Sequence, residues 1–295
     1  MKANQEIQET MPIHIAIDIG GTKMMTAAID KGMNILRRTK YPTPLSLEAG
    51  LRQLDDMITE VAAGEVIAGI GMSIGGPIDI PAGTVSPLNQ PEWRDIPMKR
   101  MMEERWGCPF HFGVDTDVAA VAEYYLAELD VKRFLYVTIS TGVGGGFLLD
   151  GKVYRGIGGI HPEVGHQSLA ARVRYPERVR CGCGNPDCLE ALISGSGIER
   201  VYGKPATELD AEEWDEVAWN LSQGLRNMIM MLSPDLIVLG GGVTTGGGEH
   251  FLERTFSYLK GNLTLARLPE IRVSSLGYDT ALLGAACLAR GMGGD

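Results

Sequence analysis

Residues 13–29 read IHIAIDIGGTKMMTAAI. The run from Ile13 to Ile19 is apolar and β-branched, which predicts a buried strand. Gly20-Gly21-Thr22 interrupts it and MMTAAID resumes as a second strand, so the stretch predicts a hairpin around a glycine turn. The theme returns at residue 134. FLYVTIS predicts a strand, Thr141-Gly142-Val143-Gly144-Gly145-Gly146 a turn, and FLLDGKVY the partner strand. Two such units, each followed by mixed helical and strand sequence, imply an α/β fold with an internal duplication of structure. There is no short-period repeat, which excludes a solenoid.

Outward from the hairpins the alternation continues. Leu47, Leu51, Leu54, Met57, Ile58 and Val61 recur at helical spacing before a Gly64 stop. VIAGIGMS reads as a buried strand broken by GGPID, and CPFHFGV as a strand running into the helix AAVAEYYLAEL. Val217, Leu221, Leu225, Met228, Ile229 and Leu232 mark an amphipathic helix ended by Pro234. The strand LIVL then meets Gly240-Gly241-Gly242, and ALLGAACLARG predicts the last helix.

The 295 residues are 44% hydrophobic and 22% charged, enough for one large domain or two compact ones. A formal net charge of −10 argues against a nucleic-acid partner. No apolar run approaches a membrane span, and MKANQEIQETMP lacks a signal-peptide pattern. The expectation is a cytoplasmic protein with no membrane partner. Five cysteines at this length do not make a disulfide scaffold.

The glycine turns carry chemistry. In Asp18-Ile-Gly20-Gly21-Thr22-Lys23, glycines let backbone N–H groups approach an anion, Thr22 adds a hydroxyl, and Asp18 suits a hydrated Mg²⁺ beside phosphates. A tight turn with a solvated lysine explains the same residues equally well. In the second run, four glycines in five positions exceed what a hairpin needs, which suggests close approach to a ligand. Two such turns can clamp a polyphosphate from both sides. No G-x-G-x-x-G lies between a strand and a helix, against a dinucleotide site. Gly151-Lys152 is followed by Val153 instead of Ser or Thr, so Asp150-Gly151 reads as a hairpin turn and not as part of a P-loop.

Cys181, Cys183 and Cys188 fall within eight positions, and His166 upstream completes a Cys₃His set for a closed, structural zinc site. Asp115 and Asp117 end the strand CPFHFGV. A carboxylate there is well placed for catalysis in an α/β fold, although helix capping is the commoner use. Glu163, His166 and Glu190 bracket the knuckle and point to a polar pocket. The four tryptophans and the methionines at 228, 230 and 231 read as packing.

Together these segments resemble the ROK family of sugar kinases and related repressors. IAIDIGGTK resembles its first phosphate motif, GMSIGGPID its G-x-P-G-P-x-D segment with Gly75 in place of proline, and VDTDVAA its catalytic segment. TISTGVGGG resembles the second phosphate motif, EVGH with CGCGNPDCLE the zinc signature, and LIVLGGGV and LLGAACLA the adenosine-side segments. The resemblance implies an actin-like (ribonuclease H-like) ATPase fold with two lobes around a nucleotide and sugar cleft. One lobe would hold 1–118 and the helix 281–295, the other 119–280 with the knuckle. It also implies an ATP-dependent hexose kinase using Mg²⁺ and structural Zn²⁺, working as a homodimer.

Site residues follow from the same resemblance. Asp117 matches the general base. Gly75, Gly76, Asn89, Thr116, Glu163, His166 and Glu190 match sugar contacts, and His166, Cys181, Cys183 and Cys188 the zinc ligands. Asp18, Gly20, Gly21, Thr22, Lys23, Thr141 and Gly142 fall on the phosphate side, with Gly240 and Gly241 near the nucleoside. Thr116 stands where most members have asparagine, which resembles the fructokinase-like branch, and ISTGVGGG also resembles N-acetylmannosamine kinases. A frame shifted by two residues, suggested by Glu123, makes Asp115 the base. Glucose comes first as substrate, with fructose, mannose, allose and N-acetylhexosamines open. The arginines at 172, 174, 178 and 180 suggest a lid or an interface. Repressors of the family carry an added helix-turn-helix domain, for which a first strand near residue 13 leaves no room.

Overall fold

The structure is a computed structural model that describes residues 12–185 and 187–294. The N-terminal stretch through Met11, read above for a leader, lies outside them. The chain divides into two compact units, one running to Val118 and taking back Ala281–Gly294, the other Ala119–Thr280.

The first unit opens with strands β1 (Ile13–Ile19), β2 (Lys23–Ile29) and β3 (Ile35–Pro42). Helix α1 (Leu47–Ala62) and β4 (Ile67–Ile74) follow. A small hairpin, β5 (Ile78–Asp79) with β6 (Thr84–Val85), leads to α2 (Met98–Trp106), β7 (Phe110–Val114) and α3 (Asp115–Leu126). The sheet order is β3-β2-β1-β4-β7. Ile13, Ile15, Ile17 and Ile19 are each at most 2% exposed and share a core with Leu54, Met57, Ile58 and Val61 of α1. Cutting one such isoleucine to alanine costs about 2–5 kcal/mol. Ser46 caps α1 by accepting the Ala49 amide, and Ala63 in the left-handed region ends it.

The second unit begins with β8 (Arg133–Ile139), β9 (Val143–Leu149) and β10 (Lys152–Val153). Helices α4 (Leu189–Ile193), α5 (Gly195–Tyr202) and α6 (Ala211–Leu232) follow a long irregular stretch. Then come β11 (Leu236–Gly240), α7 (Gly242–Asn262) and β12 (Glu270–Val273). Helix α8 (Thr280–Ala289) passes back into the first unit. Asp210 and Glu213 form a reciprocal capping box at the start of α6. The sheet order is β10-β9-β8-β11-β12. In both sheets three antiparallel strands adjoin two parallel ones, so the duplication legible in the two hairpins extends to the whole sheet.

The second glycine run is placed differently from expectation. Gly144, Gly145 and Gly146 lie inside β9, opposite Thr138, Val137 and Tyr136, and only Ser140–Gly142 form the turn. The reason is crowding. A Cβ on Gly145 would stand 2.6 Å from the Tyr136 carbonyl oxygen and 2.7 Å from a Val164 methyl. Asp150 and Gly151, both at positive φ, make the tight turn to β10. Among the described residues no helix is long and apolar enough to cross a membrane.

Candidate active site

In the first unit, the residues singled out in the sequence gather at the carboxyl edge of one sheet, where α/β folds place their ligands. Asp18 stands near the end of β1, Gly75 and Gly76 follow β4, and Asp115–Asp117 follow β7. Asp18 lies beside Ser73 in the strand register. Burial pushes its carboxyl up to about 6. The Asp115 charge adds to the rise, while the Ser73 hydroxyl and Lys23 oppose it. A bound cation offsets burial and a like charge at a carboxylate. This oxygen-donor setting fits Mg²⁺.

The first glycine turn is held by its own unit. Gly20 donates to the Lys23 carbonyl at 2.9 Å, and the Gly20 carbonyl accepts from the Thr43 hydroxyl at 2.7 Å and from the Gln90 amide at 3.0 Å. Asn89 packs on Gly21, where a Cβ would lie 3.1 Å from that of Asn89. The Leu88 amide bonds the Gly76 carbonyl at 3.0 Å, so Gly75–Gly76, Asn89 and the first turn form one neighbourhood. Arg94 pins the segment by donating to the carbonyls of Pro87, Gln90 and Trp93. Thr43, Gln90 and Arg94 were not legible as site residues, because their contacts join segments distant in sequence.

Asp115 is exposed and accepts the Thr116 amide at 2.8 Å. The Thr116 hydroxyl is buried with no hydrogen-bond partner among the described residues, which leaves it available to a polar ligand. Asp117, 1% exposed, stands in the first turn of α3, where the positive end of the helix dipole accommodates negative charge.

In the second unit, Thr141 and Gly142 form the turn after β8, and Gly240 ends β11 with Gly241 following it at the same sheet edge. A Cβ on Gly240 would sit 2.3 Å from the Tyr136 hydroxyl oxygen. Gly241 has φ +90° and its Cβ position falls on the Ile139 backbone, so no other residue fits there.

His166, Cys181, Cys183 and Cys188 bring their ligand atoms within 4.8 Å of one another. The His166 Nδ1 lies 3.7 Å from the Cys181 sulfur and 3.8 Å from that of Cys188, and the Cys183 and Cys188 sulfurs are 4.0 Å apart. Tetrahedral zinc with thiolate and imidazole ligands separates such atoms by about 3.5–3.8 Å, so the donor set fits. His166 Nε2 faces Glu163 at 4.0 Å, and a carboxylate on that side of the ring suits an imidazole that binds metal through Nδ1.

Glu163 also faces His161 at 3.6 Å, a neighbour the sequence reading missed. The neighbouring His161 imidazole holds the Glu163 carboxyl below the ordinary range. Glu190, in the first turn of α4, accepts the Val143 amide at 3.0 Å and lies 3.5 Å from the Cys181 sulfur. The arginine-rich stretch is bound to α6 in its first part and to α5 in its second, where Arg178 donates to the Val201 carbonyl and the Arg180 carbonyl accepts from Arg200. Asn220 brackets Arg172 with two bonds to its backbone, Glu216 accepts the Arg174 amide, and the Arg172 guanidinium stacks 4.0 Å above Trp219.

The chain is similar to known proteins over nearly its whole length. The sequence model of the ROK family matches residues 14–292. An N-acetylmannosamine kinase of Salmonella newport (strain SL254) is 31% identical over 297 residues, covering 94% of this chain and 98% of that protein. The crystal structure of the ROK hexokinase from Thermus thermophilus matches with TM-score 0.82 and 32% identity, over 94% of this chain and 98% of that one. A ROK family glucokinase from Streptomyces griseus, in complex with glucose and AMPPNP, matches with TM-score 0.75 and 26% identity, over 95% and 99%.

Proposed function

Because the chain belongs to the ROK family of actin-like ATPase fold, we propose that it is an ATP-dependent sugar kinase that phosphorylates a hexose, glucose first, at the 6-hydroxyl. The observation that carries the reading is the duplicated sheet with a glycine turn after the first strand of each copy. The hexokinase and glucokinase matches support it.

The first unit supplies the base and one phosphate turn. Asp117 accepts the hydroxyl proton as that oxygen forms a bond to the γ-phosphorus, and the bond from phosphorus to the ADP oxygen breaks. Little covalent chemistry falls to the protein in such a transfer, so positioning and charge stabilisation dominate. Gly75, Gly76, Asn89 and Thr116 orient the sugar, with the buried Thr116 hydroxyl taking one of its oxygens. Gly20, Gly21, Thr22 and Lys23 face the phosphates. Asp18 would hold Mg²⁺, which when bound supplies charge neutralisation to them.

The second unit supplies Thr141 and Gly142 to the phosphates, Gly240 and Gly241 to the nucleoside, and Glu163, His166 and Glu190 to the sugar. Zinc would be held by His166 Nδ1 and the three thiolates, and its contribution is rigidity, since four protein ligands leave no open position. A second reading, N-acetylmannosamine as the sugar, is favoured by the Salmonella relative at 31% identity.

The test is ADP release with Mg-ATP against a panel of hexoses and N-acetylhexosamines. Turnover on one sugar names the substrate, and Asp117→Asn should then abolish turnover while sugar binding is kept. Full turnover by that variant would remove Asp117 from the role of base. Silence of the folded wild type on every sugar would overturn the kinase reading.

A further inference from the structure

The corner between α4 and α5, directly after the knuckle, grips the turn that follows β8. The Gly195 amide donates to the Ser140 carbonyl at 2.7 Å. Ser196 donates twice to the Thr141 carbonyl, from its amide at 3.2 Å and from its hydroxyl at 2.7 Å. Glu190 accepts the Val143 amide on the far side of the turn. We propose that Ser196 is a positioning residue for the nucleotide phosphates, acting through the Thr141–Gly142 peptide. The proposal rests on the kinase reading above and deepens it.

Two donors from Ser196 occupy both lone pairs of the Thr141 carbonyl, which turns that oxygen toward α5. In a planar trans peptide the following N–H points opposite to the carbonyl. Fixing the Thr141 oxygen therefore fixes the Gly142 N–H in the opposite direction, away from α5. Backbone N–H groups oriented before the ligand arrives are what a glycine turn offers to phosphate. The Ser196 hydroxyl is not needed to build the helix. Ser194 is the residue that caps α5, accepting the Gly197 amide at 2.9 Å, and Ser196 is exposed.

Ser196→Ala and Ser196→Thr test this. One hydrogen bond to the turn corresponds to about a 3–10-fold change. We expect S196A to raise the KM for ATP by that factor, with the sugar KM and kcat unchanged, and to weaken AMPPNP binding in a calorimetric titration without sugar by the same factor. S196T, which keeps the hydroxyl, should restore both. A general loss of structure would instead move kcat, the sugar KM and the melting temperature together. An active kinase whose ATP KM and AMPPNP affinity ignore S196A overturns the role of Ser196 alone. Wild-type protein that binds AMPPNP but phosphorylates no sugar overturns the kinase reading, and the titration still decides Ser196. Folded wild type that binds no AMPPNP overturns both.

Discussion

Glu190 accepts the backbone amide of Val143 at 3.0 Å, across 47 residues of chain. Gly142 must be glycine for this to happen, because a Cβ there would lie 2.7 Å from the Glu190 Oε2. One of the glycines that suggested a phosphate site therefore also admits a protein carboxylate. Glu190 ties the knuckle to the turn after β8, and under the proposed kinase reading these are the sugar and phosphate sides, so its two substitutions should differ. Glu190→Gln keeps an oxygen for the Val143 amide and should raise mainly the sugar KM. Glu190→Ala removes both functions and should raise the sugar and ATP KM values together, each by about tenfold. Steady-state kinetics with each substrate varied in turn checks this. An ATP KM raised equally by both variants would contradict it.

Asp18 ionises at about 6 in the folded protein against 3.8 for the ordinary carboxyl. The folded state holds the proton more tightly, so ionisation costs stability as pH rises between those values. The cost is complete above about pH 6 and absent below about pH 4. Asp18→Asn should thus be more stable than wild type at pH 7.5, by up to about 3 kcal/mol, and no more stable at pH 4. In the proposed mechanism turnover should fall at the same time, because the carboxylate that burdens the fold is also the one proposed to hold Mg²⁺. Urea denaturation at the two pH values decides it. A variant equally destabilised at both would rule out the electrostatic cost.

Much of the fold was legible because it rests on local pattern. The β-branched run of β1, the helical spacing of α1 and α6 and the Asp150-Gly151 turn all follow from short-range chemistry. The knuckle was legible because ligand spacing survives in sequence. The limits of the second glycine turn were not legible, because Gly145 answers to Tyr136 and Val164 rather than to its chain neighbours. Gln90, Arg94, His161 and Ser196 escaped for a related reason, since each acts through a contact that only the folded chain brings about. For Ser196 the small-residue run Ser194–Gly197 beside Glu190 was the available signal. The arginine stretch, read as a lid or interface, is bonded to α6 through Arg172 and Arg174 and to α5 through Arg178 and Arg180, and the Asn220 amide that holds its first part gave no sign in the sequence.

Metal removal should act locally. The strap between His166 and Cys181 is fixed to α6 by Asn220 and Glu216 independently of any ion. Chelation should therefore release one zinc per chain and make Cys181, Cys183 and Cys188 reactive to a thiol reagent, with helical circular dichroism nearly unchanged. The sugar KM should rise, because Glu163 and Glu190 both contact ligands of the set. Asn220→Ala loosens the strap and should speed zinc loss to a colorimetric chelator at constant pH. Active protein with no stoichiometric zinc, or chelation that unfolds the whole second unit, would exclude this picture.

Gly71 offers a test of the fold itself. It lies in β4, where a Cβ would meet the Ala285 carbonyl oxygen at 1.9 Å and the Ala289 nitrogen at 2.6 Å. Both are backbone atoms of α8, so no side-chain rotation relieves the clash and the helix must lift from the sheet. Gly69 faces Ala289 in the same way, its Cβ position 2.5 Å from that carbonyl oxygen. Gly69 and Gly71, on one face of β4, are thus the groove in which α8 rests. Gly71→Ala should destabilise the protein by about 3 kcal/mol or more, at the upper end for overpacking, because backbone yields less than side chains. Gly246, in α7, has open space at its Cβ position. Gly246→Ala should be neutral or stabilising by about 0.5–1 kcal/mol, since alanine loses less backbone entropy in a helix. Thermal melts of the two variants should then shift in opposite directions or differ by several degrees. Equal melting temperatures would mean that α8 does not pack on β4 as the structure has it.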